Sequence, residues 1–150
     1  MDEELSNLYQ EIILYHNKFP CNFHKMESHT HSASGLNPVC GDEIDVYLHI
    51  KNKLIDDISF TSEGCAISKA AASLMTLAIK GKTISMAHKE FEHFNHLLTA
   101  DNISGHDSQE IGDLAALRGV RQFPARIKCA TLAWHTLKSA ILSPNEIEVK

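Results

Sequence analysis

Cys40, Cys65 and Cys129 each stand beside a backbone device able to aim a sulfur at a shared point. The first lies in Asn37-Pro38-Val39-Cys40-Gly41-Asp42, the second in Ser62-Glu63-Gly64-Cys65, and the third in Phe123-Pro124-Ala125-Arg126-Ile127-Lys128-Cys129. With Asp42 they offer four donors, and thiolate sulfur together with carboxylate oxygen is an ordinary tetrahedral zinc set. Iron–sulfur chemistry would use the same groups. A free cysteine taken alone is usually a small core hydrophobe; three of them, two beside glycine and one two residues from Asp42, argue for a site. Residues two apart in an extended chain face the same side, so Cys40 and Asp42 project together across Gly41. Arg126, three residues before Cys129, is close enough to stabilise an anionic thiolate or persulfide. Cys21 follows Pro20 outside any such setting and reads as an incidental thiol. His29 and His31 read as solvated or packed, and His88, His93 and His96 form no HExxH pair and sit among Glu90 and Glu92 on a solvent-facing stretch.

These residues need a frame to bring them together. Leu5, Leu8, Ile12 and Tyr15 make the stripe of an amphipathic helix ending near Phe19-Pro20. Residues Asn22 to Asn37 read as irregular or as a short edge strand. From Glu43 to Ile50 the alternation is strict, with Ile44, Val46, Leu48 and Ile50 on one side, which predicts a half-buried strand. Lys51-Asn52-Lys53 turns the chain into a second strand, where Leu54, Ile58 and Phe60 share the inner face and Asp57, Ser59 and Thr61 the outer one. The period then becomes helical: Ile67, Ala70, Ala71, Leu74, Leu77 and Ala78 line one face from Cys65 to the stop signal Lys80-Gly81. A helix from Ser85 carries Phe91, Phe94 and Leu98, and the polar stretch Thr99–Asp107 reads as a loop. Leu114, Leu117 and Val120 suggest a short helix before Pro124 opens a last one through Ile127, Ala130, Trp134, Leu137 and Ile141.

Strands first and helices afterwards predict a single α+β domain over residues 1–150, a small antiparallel sheet with helices packed on one face. Cys40 and Asp42 share the parity of Ile44, Val46 and Leu48, hence the end of the buried face. Cys65 and Cys129 fall at or within the first turn of covering helices, where unpaired N–H groups favour a thiolate. All four groups converge at one rim, and Gly41 and Gly64 allow turns that a side chain would obstruct.

A chain of 150 residues with 43% hydrophobic content buries one sizeable core. The net charge of −5, with Lys and Arg scattered, excludes a nucleic-acid footprint. The start, Met1-Asp2-Glu3-Glu4, is acidic where a secretory signal is basic, and the apolar run Ala70–Ile79 is too short to span a bilayer. These features predict a cytoplasmic protein that contacts no membrane. In a reducing compartment cysteines serve metals or catalysis more often than disulfides.

Asn37-Pro38-Val39-Cys40-Gly41-Asp42, Glu63-Gly64-Cys65-Ala66-Ile67-Ser68 running into Ala71-Ala72-Ser73-Leu74-Met75-Thr76, Lys80-Gly81-Lys82, and Phe123 to Trp134 resemble the IscU/NifU-like family of iron–sulfur cluster assembly proteins. The resemblance is strongest to the SufU branch. Lys128 precedes Cys129 where IscU proteins usually have His, Phe123-Pro124-Ala125-Arg126 replaces their Leu-Pro-Pro-Val-Lys motif, and the added length between Cys65 and Cys129 is similar to the SufU insertion. The resemblance implies a SufE/NifU-like fold and zinc on Cys40, Asp42, Cys65 and Cys129. It implies a sulfurtransferase-like accessory role in which a PLP-dependent, SufS-like cysteine desulfurase hands persulfide sulfur on, with Cys40 as acceptor. Further implied partners are apo iron–sulfur proteins or other assembly components. Two alternatives stay open: a scaffold on which a [2Fe–2S] or [4Fe–4S] cluster is built and transferred, and a structural zinc domain.

Overall fold

The computed structural model describes residues 3–38, 41–99, 116–120 and 123–145, with side chains from residue 10 onward. The chain runs α1 (Glu3–Lys18), β1 (His31–Asn37), β2 (Asp42–Lys51), β3 (Leu54–Glu63), α2 (Ala66–Ile79) and α3 (Ile84–Thr99). A short 3₁₀ turn over 116–120 precedes α4 (Pro124–Ile141). The strands form one antiparallel sheet in the order β1-β2-β3, and α2 and α4 pack on it, so the expected α+β class is the observed one. Among the described residues no helix is long and apolar enough to cross a membrane.

The alternation in β2 does what its pattern dictates. Ile44, Val46 and Leu48 are buried, and with Ile58 and Phe60 of β3 they form the floor of the core. Its roof is α2 and α4, with Trp134 stacked on Phe94 of α3 at 5.3 Å between ring centroids. Small residues let α4 come close to the sheet: a Cβ on Gly35 of β1 would overlap Thr136 Oγ1 and stand 3.2 Å from Leu132 Cδ1. That approach lays the N-terminal half of α4 over the end of the sheet where β1 passes into β2.

Four sequence expectations need correction. The inner face of β3 is carried by Ile55, fully buried, and not by Leu54, which is 37% exposed. A register shift between His49 and Ile50 sets Ile50 opposite Ile55 and His49 opposite Asp57, and the extra residue inverts the parity of the strand's first turn. Ser59, expected outside, is buried as well; the segment after α1 runs along this strand, Asn22 O accepting the Phe60 N–H at 3.0 Å and Phe23 meeting the Phe60 ring edge-on. In α2 every residue from Ala70 to Thr76 is buried, because α1 covers the flank that the sheet and α4 leave open, while Leu77 of the predicted stripe is 54% exposed. On α1, Tyr15 faces out and His16 is the residue that turns inward, its Nδ1 2.7 Å from Ser73 Oγ on α2.

The segment read as irregular or a short edge strand contains β1, an edge strand of 7 residues. Leu5 and Leu8 lie outside the described side chains, Leu114 and the loop beyond Thr99 outside the described residues.

Candidate metal centre

Asn37, the last residue of β1, pairs with Asp42, the first of β2. Between them the chain turns back, and the Gly41 N–H donates to Asn37 O at 2.8 Å. Asp42 is fully buried, on the parity shared with Ile44 and Val46. An isolated buried carboxylate is costly unless it is hydrogen-bonded or bound to a cation. Here Oδ1 accepts the backbone N–H of Cys65 at 2.8 Å, and Cys65 Sγ lies 3.6 Å from Oδ2.

Cys65 is the N-cap of α2, with extended backbone dihedrals, and its sulfur accepts the Ser68 N–H at 3.4 Å. It takes the place of the usual Ser or Asp cap, so the free N–H groups of the helix start point at a sulfur. Gly64 makes this possible. Its φ is +149°, and a Cβ there would overlap Asp42 Oδ1 and lie 2.9 Å from Asp42 Cα. The peptide leading into α2 thus lies against the carboxylate.

Cys129 comes down from the other covering helix. Counting from Pro124 it sits in the second turn of α4, deeper than the first-turn placement expected, and it is fully buried. Its Sγ–H donates to Ala125 O at 3.7 Å, and its sulfur receives the Asn37 side-chain N–H at 3.8 Å. The ligand atoms of Asp42, Cys65 and Cys129 all lie within 4.8 Å of one another. Donors about 2.0–2.3 Å from a common tetrahedral ion would be roughly 3.3–3.8 Å apart; the 3.6 Å between Cys65 Sγ and Asp42 Oδ2 lies in that range, and the donor chemistry suits a metal ion.

The remaining expected residues fall differently. Cys40 lies outside the described residues, between the described Pro38 and Gly41. Arg126 stands exposed on the first turn of α4, where its guanidinium makes no hydrogen bond or ion pair among the described residues. Cys21 is far from the trio's chemistry: its N–H donates to Ser73 Oγ at 2.8 Å where α1 meets α2. His29 is packed, with Nδ1 2.6 Å from Met26 O and its ring against Tyr47. Sequence reasoning missed Asn37 as part of the centre. The signal was available, since Asn37 is two residues after Gly35 and therefore faces the same side of β1.

A helix-covered antiparallel sheet with two cysteine sulfurs and a buried carboxylate gathered at one end defines a small α+β domain built around a metal site. The family model for the NifU-like N terminal domain matches residues 8–130, and the chain belongs to that family. It is 39% identical over 137 residues to the zinc-dependent sulfurtransferase SufU of Bacillus subtilis, covering 91% of each chain. It is 36% identical to the iron–sulfur cluster assembly scaffold protein IscU of Streptococcus pyogenes, covering 92% of this chain and 85% of that one. Among solved structures, a candidate iron–sulfur cluster assembly scaffold protein for the SUF system from Fervidobacterium islandicum AW-1 superimposes with a TM-score of 0.80, at 29% identity, over 87% of this chain and 94% of that one.

Proposed function

We propose that this protein is a zinc-dependent sulfurtransferase of iron–sulfur cluster assembly, acting in the cytoplasm with a PLP-dependent, SufS-like cysteine desulfurase and passing sulfur on to apo iron–sulfur proteins or other assembly components. The observation that carries the reading is the buried Asp42 carboxylate held among Cys65 and Cys129 within 4.8 Å, in a chain 39% identical to a zinc-dependent sulfurtransferase. Cys40, Asp42, Cys65 and Cys129 are the four ligands. Bound zinc keeps the sulfurs as thiolates at neutral pH, where a free thiol is mostly protonated.

Cys40 is the acceptor, since the other two cysteines are tied to core elements, Cys65 as the cap of α2 and Cys129 within α4, where a ligand cannot leave without disturbing a helix. Its thiolate attacks the terminal sulfur of the desulfurase persulfide, a new S–S bond forms to Cys40, and the old S–S bond breaks with its electron pair leaving on the desulfurase cysteine. No net oxidation or reduction occurs. Arg126, exposed one turn before Cys129, offers its guanidinium to the incoming anion.

The similarity to scaffold proteins favours a second reading, in which the same ligands hold a cluster in transit. Two measurements separate the two: metal and acid-labile sulfide in protein purified without added metal, and cysteine turnover by the desulfurase. About one zinc per chain without sulfide is expected, together with faster cysteine turnover by the cognate desulfurase when the protein is added. Iron with matching sulfide and unchanged turnover would overturn the sulfurtransferase reading in favour of the scaffold.

A further inference from the structure

Asn37 is joined to the centre in two ways. Its backbone carbonyl accepts the Gly41 N–H at 2.8 Å and so ties the end of β1 to the residue before β2. Its side chain, buried with the residue only 6% exposed, donates to Cys129 Sγ at 3.8 Å across a separation of 92 residues. The Cys65 sulfur takes its N–H from Ser68, within its own helix. Both described sulfurs of the centre therefore receive an amide N–H, one from a helix backbone and one from a side chain at the end of β1.

An N–H···S bond withdraws electron density from a thiolate. It makes the sulfur a poorer nucleophile and fixes its direction toward the ion, in the way that hydrogen bonds to a ligand orient it and tune its basicity. We infer that Asn37 is a positioning residue that keeps Cys129 in the metal site and unreactive while Cys40 is the thiol that leaves and attacks. The inference rests on the sulfurtransferase reading for the identity of the leaving thiol, but the protection of Cys129 stands apart from it. In the transfer step the terminal sulfur, with its proton, passes from the desulfurase cysteine to Cys40, and the desulfurase cysteine departs as thiolate. Cys129 exchanges no bond.

The test uses the full zinc-loaded chain. Asn37→Asp matches the amide in size but withdraws the donor, and Asn37→Ala withdraws it without adding charge, so a failure of either one to fold leaves the other. Three quantities are read: the alkylation rate of Cys129 by N-ethylmaleimide followed by peptide mass spectrometry, with Cys21 as internal control; zinc retention against a chelator; and the cysteine that carries sulfane sulfur after incubation with desulfurase and cysteine. Loss of the donor is expected to accelerate Cys129 alkylation and weaken zinc retention by about 10–100-fold, the range for removing a hydrogen bond to a metal ligand, with the Cys21 rate unchanged. Sulfane sulfur, confined to Cys40 in the unaltered chain, is expected on Cys129 as well in the variants. Unchanged Cys129 alkylation and zinc retention in both variants would overturn the role of Asn37. Loss of Cys129 protection in a chain that takes up no sulfane sulfur at all would uphold that role and overturn the sulfurtransferase reading instead.

Discussion

A carboxylate fit to hold a metal must first be held itself, and Asp42 is held by the peptide N–H of Cys65, its neighbour in the candidate centre. The contact depends on a residue with no side chain. Gly64→Ala would place a methyl group over Asp42 Oδ1 at a φ of +149°, a conformation costing an L-residue on the order of 1–3 kcal/mol. We expect Gly64→Ala to lower stability by about that amount in chemical denaturation and to weaken zinc binding about 10–100-fold in chelator competition, since the carboxylate that must move is one of the donors of the proposed zinc site. Much of this was legible in the sequence: the residue types, the glycine before Cys65, and the parity that buries Asp42. The depth of Cys129 was not, because Pro124 marks where a helix starts without saying how far along it a side chain meets the sheet. Nor was the Asn37 contact, which joins residues 92 apart and exists only once α4 lies over β1.

At the scale of elements the informative failures are both failures of period. Regular alternation assigns Leu54 to the core, yet the extra residue in β3 between Ile55 and Asp57 reverses the face and buries Ile55 instead. A bulge leaves no mark in a hydrophobic pattern as short as this one. Ile55→Ala is therefore expected to cost about 2–5 kcal/mol, as large-to-small changes in a packed core do, while Leu54→Ala should stay within about 1 kcal/mol; equal costs in a urea titration would contradict the register. The helix stripe failed for a different reason. A one-sided stripe presumes one packing partner, and α2 has the sheet and α4 on one flank and α1 on the other, so its Ala- and Ser-rich middle is buried all round and the side chain it spares, Leu77, is among its largest.

For the molecule as a whole, the C-terminal end of the described chain is tied to the sheet. Ser32 N–H reaches Ser143 O at 3.4 Å and Asn145 N–H reaches Thr30 O at 2.7 Å, with His31 opposite Pro144. Burial holds the His31 pKa below its ordinary value of 6.5, so the fold prefers the neutral ring and the unfolded chain takes up a proton more readily. Stability from this source is complete above pH 6.5 and is lost as the pH falls toward the lower, folded-state value. Amide exchange at Asn145 and Ser32 should accelerate between pH 7 and 5 after correction for intrinsic rates, and His31→Gln should flatten that dependence. The opposite border of the sheet is occupied too: Asn22 O accepts from Phe60 N–H, and Ile55 exchanges hydrogen bonds with Gly81 and Lys82, each 2.8 Å long. Backbone groups so engaged cannot template a foreign strand. Repeated chelator stripping and zinc reloading of the protein should therefore leave it dissolved, with light scattering unchanged, rather than drawn into fibres.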